Sequence, residues 1–254
     1  MIKKELNILL TAIMFYTRIP VPKNIVYSPD NLNKATRYFP FIGYVAGGLG
    51  ALVFIGMHKV LSTNISVISA IAAMVLLTGA FHEDAFADFC DGFGGGYTRE
   101  KILTIMKDSR IGTYGAAGLS LLFLFKYILL REITPGMFPV ILISAHVFSR
   151  LVLVIMIYVS QYVGRTEGSK SKPVGEKKSW RTFTVAMIWM VPIPYFLGIK
   201  PFLFILPFQV ILFVYYRYYI HKKIGGYTGD VLGALQQLSE VLFYGTYLAY
   251  CSLS

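Results

Sequence analysis

The sequence predicts an all-α fold: a polytopic integral membrane helix bundle of about seven spans, preceded by an N-terminal re-entrant or interfacial helix. Three observations carry this. Hydrophobic residues make up 56% of the 254 and mean hydropathy is +0.60, above the range of soluble globular domains. Apolar runs recur at lengths that bracket the ~20 residues a helix needs to cross a bilayer. The 24 Lys and Arg gather on alternate segments between those runs, the asymmetry that orients membrane proteins.

The N-terminus holds an apolar stretch from Leu6 to Tyr16, ended by Thr17-Arg18-Ile19-Pro20-Val21-Pro22. It is too short to span comfortably and has no small-residue cleavage site, so an interfacial or re-entrant helix fits better than a signal peptide. Seven longer runs follow, at roughly 38–57, 65–81, 113–131, 137–160, 182–198, 201–220 and 231–251. The first contains Gly43, Gly47, Gly48 and Gly50, small residues that let a neighbouring helix approach closely. No internal repeat and no separate soluble region interrupts the series, so residues 1–254 read as a single membrane-embedded catalytic domain.

Topology follows from counting cations. Eighteen of the 24 Lys and Arg fall on one side, three on the other and three within the runs. The positive-inside rule makes the richer side cytoplasmic. It also collects there an acidic stretch at 83–91, the loop at 161–181 and the turn at 225–230.

Four of the thirteen acidic residues fall between Glu83 and Asp91. If the run from Ile65 continues as helix through this stretch, Asp84, Asp88 and Asp91 project within about a 60° arc of one face. Their like charges make most sense with divalent cations between them. The rise from Asp84 to Asp91 is roughly 10 Å, so a pair of Mg²⁺ ions, or Mn²⁺ in their place, fits better than one, as does one ion with a carboxylate base. His82 projects away from Asp84 and is not expected to share that ligation.

Beyond Gly94-Gly95-Gly96, Thr98 is an expected N-cap for a short surface helix over Arg99–Asp108. Lys107, Asp108 and Arg110 end that segment; Arg and Lys beside metal-bound carboxylates suit a phosphate or diphosphate substrate. Within the runs, Lys126 and Arg150 require partners. His146 shares a face with Arg150, and Glu240 is an interior acid available to pair. Asp230 closes a glycine-rich turn and is expected to cap the last helix. A net charge of +11 spread over inter-run loops indicates membrane orientation, with no nucleic acid partner. Cys90 and Cys251 make neither a structural disulfide nor a zinc site, and phosphate loops and nucleophile elbows are missing.

Four motifs together resemble the cobalamin synthase family, the adenosylcobinamide-GDP ribazoletransferases. They are Thr17 to Pro22, His82 to Gly96, Met106-Lys107-Asp108-Ser109-Arg110-Ile111-Gly112, and Gly226-Tyr227-Thr228-Gly229-Asp230-Val231-Leu232-Gly233-Ala234. The resemblance implies Mg²⁺-dependent attack of the hydroxyl of α-ribazole, or of its 5′-phosphate, on the cobinamide-linked phosphorus of adenosylcobinamide-GDP, releasing GMP. It also implies a multi-pass protein of the prokaryotic cytoplasmic (inner) membrane with its active site facing the cytoplasm. Asp84, Asp88 and Asp91 would then bind metal or assist deprotonation, Lys107, Asp108 and Arg110 would meet the diphosphate, and Asp230 would complete the site. Ala85 departs from the glycine expected there, and 169–173 is an unusually basic version of its loop. The lipid bilayer and the two substrates are the implied partners; a homo-oligomer is compatible with the sequence.

Two other functions share some of these features. CDP-alcohol phosphotransferases also use an aspartate ladder at a membrane surface, but their Ala-Arg after Asp-Gly is replaced here by Phe93-Gly94. A cation transporter would use the ladder as an ion site, although such sites sit near the bilayer midplane and these aspartates lie at the end of a run.

Overall fold

The structure is a computed structural model that describes residues 2–164 and 179–254. The basic loop singled out in the sequence lies, from 165 to 178, outside the described residues.

Helix α1 (Ile2–Tyr16) has 15 residues and so spans about 22 Å, short of a ~30 Å hydrocarbon core. Its polar side is tied down. Glu5 accepts hydrogen bonds from Arg37 at 2.9 and 3.0 Å, from Tyr38 at 3.2 Å and from Arg181 at 3.2 Å, while Asn7 exchanges two bonds with the backbone of Val26. Ser28 caps α2 (Pro29–Ala35), and a 3₁₀ turn over Thr36–Tyr38 leads into α3 (Phe39–His58).

The close approach expected of the glycines in α3 is realised against α8 (Phe138–Val159). A Cβ on Gly43 would stand 2.5 Å from the His146 carbonyl oxygen, and one on Gly47 2.8 Å from Ile143 Cα. Helix α8 is the most enclosed long helix, with 83% of its apolar window inside the protein.

The segment at 65–81 departs from the expected single helix. Helix α4 (Thr63–Thr78) stops at Gly79, which adopts a left-handed conformation (φ 65), as does Ala80 (φ 57). Helix α5 (Phe81–Gly95) then starts at 88° to α4. The stop is enforced from outside: the Arg18 N–H donates to Leu77 O at 2.6 Å, and a Cβ on Gly79 would overlap the Arg18 guanidinium. The acidic residues therefore sit on a helix of their own.

Helix α6 (Arg99–Ile105) is capped by Thr98, as expected, but ends three residues before Asp108. Helix α7 (Thr113–Glu132) follows. The expected span at 182–198 is replaced by two short helices, α9 (Trp180–Ile188) and α10 (Pro192–Leu197). Pro192 and Pro194 have no N–H to carry a helix through from Ile188. Helix α11 (Ile199–Ile224) is continuous despite Pro207, and α12 (Gly229–Leu253) closes the chain.

Four helical stretches among the described residues, 29–58, 113–132, 138–159 and 199–224, are long and apolar enough to cross a membrane; the bent pair α4–α5 makes a fifth. The count is thus four or five by length and composition, against the seven expected. One shortfall is the α9–α10 break. The other is α12, whose Gln236, Gln237, Ser239 and Glu240 lower its hydropathy and are all buried.

Those α12 residues explain where the charges inside the bundle go. Glu240, 0% exposed, pairs with Lys126 Nζ at 2.9 Å and accepts hydrogen bonds from Gln236 at 2.7 Å and Tyr244 at 3.1 Å. The Arg150 guanidinium meets His146 Nδ1 at 2.9 Å, and Gln237 donates to Glu83 at 3.0 Å. Two cations and two carboxylates on four helices thus gather around one small buried pocket, which keeps charge out of hydrocarbon. The pairing expected for Lys126, Arg150, His146 and Glu240 is present.

Candidate active site

The aspartates of α5 separate into two environments. Asp91, 8% exposed, accepts the Gly112 N–H at 2.7 Å and the Gly115 N–H at 2.8 Å. Gly112 and Gly115 occupy the N-cap and third positions of α7, so both oxygens of Asp91 satisfy donors at the start of that helix. Only glycine lets the carboxylate in: a Cβ on Gly112 would lie 2.5 Å from Asp91 Oδ1, and one on Gly115 would overlap the other oxygen.

Asp84 faces elsewhere. It lines a cavity of about 360 Å³ with Lys107 and Asp230. The walls are Phe15 of α1, Phe81 and Ala85 of α5, Leu103 of α6, Met106, Tyr162, Tyr227 and Leu232 of α12. Asp88, one turn beyond Asp84, feels the charge of Asp230 most strongly among its acidic neighbours, then Asp84 and Asp91. The ladder read from spacing is therefore a cluster built by two helices, α5 and the first turn of α12.

Local structure brings Asp230 there. Gly225 (φ 85) ends α11, and the next residues form a parallel bridge between Tyr162 and Tyr227. The Tyr227 N–H donates to Gln161 O and the Val163 N–H to Tyr227 O, each at 2.9 Å. Gly226 is required because any side chain would overlap Gln161 O. The cap of α12 is Thr228, whose hydroxyl accepts the Val231 N–H at 3.3 Å; Asp230, expected as the cap, instead stands in the first turn, open to the cavity. Burial foremost, with a contribution from the Asp84 charge, pushes the Asp230 carboxyl up to about 6, while the Thr228 hydroxyl and Lys107 hold it down.

Of the residues predicted from sequence, Asp84, Lys107 and Asp230 come together at the cavity, Asp88 adjoins them, and Asp91 binds the start of α7. Asp108 and Arg110 do not line the cavity. They pair with each other at 2.6 and 3.0 Å, and the Arg110 side chain is 87% exposed. That pairing holds the Asp108 carboxyl down at about 2. The sequence reading missed the aromatic walls. Tyr227 lies within a quoted motif, but Phe15, Phe81 and Tyr162 are single aromatics in a chain with 37 Phe and Tyr residues, so composition could not have selected them.

Among the described residues, no three His, Cys, Asp or Glu side chains form a ready-made metal cage. Magnesium does not need one, because it usually takes one or two carboxylates and completes its shell with water and substrate phosphate. Asp84 and Asp230 on the cavity, with Asp88 beside them, supply hard oxygen donors, so the residues present fit an ion held by one or two carboxylates.

These features define a helical membrane protein with a cavity lined by aromatic rings, two carboxylates and a lysine. The chain belongs to the family whose model is described as cobalamin-5-phosphate synthase, which matches residues 8–248. It is 40% identical to the adenosylcobinamide-GDP ribazoletransferase of Vibrio parahaemolyticus, over 98% of this chain and 94% of that protein. With the protein of the same name from Shewanella frigidimarina it shares 41% identity over 97% of this chain and 95% of that one. No solved structure matches it.

Proposed function

We infer that this chain is an adenosylcobinamide-GDP ribazoletransferase, the enzyme that assembles the nucleotide loop of cobalamin. The observation that carries the reading is the convergence of Asp84, Asp230 and Lys107 on one cavity, built from three of the motifs by which the sequence resembles the family. In this reaction the ribazole hydroxyl forms a new P–O bond to the cobinamide-linked phosphorus. The P–O bond to GMP breaks, and the hydroxyl proton passes to a carboxylate.

Asp84, Asp88 and Asp230 would hold a divalent cation, Mg²⁺ or Mn²⁺. Bound there, the ion would neutralise charge on the diphosphate. Asp84 and Asp230, on two helices of the same cavity, would orient the ribazole hydroxyl, and one of them would take its proton. Lys107 presents its ammonium to the phosphoryl oxygens. Arg110, three residues further on and exposed, would leave Asp108 and meet the outer part of the donor diphosphate. In this reading Asp91 positions the site by fixing α5 to α7.

The enzyme sits in the cytoplasmic membrane with this face toward the cytoplasm, a placement supported by the distribution of Lys and Arg. The test is GMP release by purified protein given adenosylcobinamide-GDP and α-ribazole 5′-phosphate. Asp84→Asn is expected to lower turnover at least a hundredfold in folded protein, within the range of general acid–base and electrostatic contributions. Unchanged turnover would remove Asp84 from the site.

A further inference from the structure

We propose that the cavity is the subsite of the acceptor, a nucleoside with an apolar bicyclic base, and that the corrinoid donor presents only its diphosphate to the cavity's carboxylates and lysine. This rests on the transferase reading above.

Size is the first argument. A cavity of about 360 Å³ stands near the lower end of the range that encloses drug-sized ligands. A nucleoside or its monophosphate is of that size; a corrin macrocycle carrying GDP is several times larger and must remain outside.

The lining is the second. Phe15 and Phe81 are already set edge to face with centroids 5.7 Å apart, as are Tyr162 and Tyr227 at 5.6 Å. Phe15, Phe81 and Tyr162, the last backed by the buried ring of Tyr227, thus offer preformed aromatic surfaces for a flat apolar base. Asp84, Lys107 and Asp230 are left for its ribose and phosphate.

The third argument is a smaller cavity, about 40 Å³, which shares Phe81, Gly229 and Leu232 with the first and is also lined by Tyr16 and Arg150. Tyr16 and Arg150 are 5% and 3% exposed. The Tyr16 hydroxyl and Arg150 Nε have no hydrogen-bond partner among the described residues. Buried donors of this kind call for an acceptor. An unsubstituted ring nitrogen of the acceptor's bicyclic base, directly or through a water for which the space is sufficient, is the hydrogen-bond acceptor we assign to them.

Gly229 lines both cavities, and a Cβ there would meet nothing within 4 Å. Gly229→Ala is therefore accommodated without a clash and is the control for Gly229→Leu, which adds apolar bulk at a position lining both cavities. Initial rates of GMP release should show the KM for α-ribazole 5′-phosphate raised about tenfold or more in Gly229→Leu, with the KM for the donor within about twofold of wild type. An unmoved acceptor KM, or equal rises for both substrates, overturns the subsite.

Calorimetric titration of the wild-type protein with α-ribazole 5′-phosphate, without donor, decides the matter even if Gly229→Leu fails to fold. One equivalent bound supports the subsite, and no binding overturns it. Wild-type protein that binds the nucleoside but releases no GMP would sink the transferase reading and leave the nucleoside site standing.

Discussion

At the residue scale, Asp91 shows how a motif residue can serve the site through architecture. Spacing places Asp84, Asp88 and Asp91 on one face, and the helix over 81–95 bears that periodicity out. What spacing could not show is that Gly112 and Gly115, more than twenty residues later, deliver two N–H groups to the last of the three. Losing a helix-capping acceptor costs about 0.5–2 kcal/mol, so Asp91→Ala should lower the unfolding temperature in detergent. Gly115→Ala should do the same by expelling the carboxylate. The Mg²⁺ concentration for half-maximal activity should rise for Asp84→Asn and stay unchanged for Asp91→Asn; a matching rise in Asp91→Asn would make Asp91 a ligand. Asp230 allows a pH test. Its folded value of about 6 lies above the ordinary 3.8, so its contribution is fully present below about pH 4 and is lost as pH rises through 6. With chelator present, wild-type protein should therefore lose thermal stability between about pH 4 and 7. Asp230→Asn should flatten that loss, and an equal loss in the variant would contradict the assignment.

At the scale of elements, the sequence was most legible where one residue type decided the outcome. Thr98 caps its helix, the glycines of α3 admit α8, and Lys126 and Arg150 find interior partners. The break at Gly79–Ala80 was hidden because the apolar run from Ile65 passes through it to Phe81; the stop comes from Arg18, about sixty residues earlier. The break at 189–191 has its signal in Pro192 and Pro194, which lie inside an apolar run long enough to read as one span. Replacing Gly79 by Ala puts a β-carbon into a left-handed position, at about 1–2 kcal/mol, and pushes Arg18 away. Activity should fall with stability, because the direction of α5 is set there. Among the buried charges, Glu240→Ala leaves Lys126 without its partner and should cost about 3–5 kcal/mol. The double variant Glu240→Leu with Lys126→Met should recover most of that in thermal unfolding. Additive losses would mean the pair is not coupled.

At the scale of the whole molecule, the class of fold was legible from hydropathy, and the motifs named Asp84, Lys107 and Asp230, which meet at one cavity, whereas the number of spans was not legible. Buried polar residues on α12 make an inward-facing helix read differently in composition and in three dimensions. The cavity illustrates the same limit. Its acids and lysine sit in recognisable motifs, but its aromatic walls come from α1, α5, the 161–164 segment and the 226–230 turn, a convergence that only the fold creates. Four segments distant in sequence thus enclose one cavity that carries both charged groups and apolar surface. The central claim, that this space serves transfer of a cobinamide phosphate to a ribazole with GMP as leaving group, is tested most directly by supplying the purified protein with adenosylcobinamide-GDP and α-ribazole 5′-phosphate, with Mg²⁺ and then with chelator. The account predicts stoichiometric GMP and corrinoid product that cease on chelation; folded protein that yields no GMP with any divalent metal would contradict it.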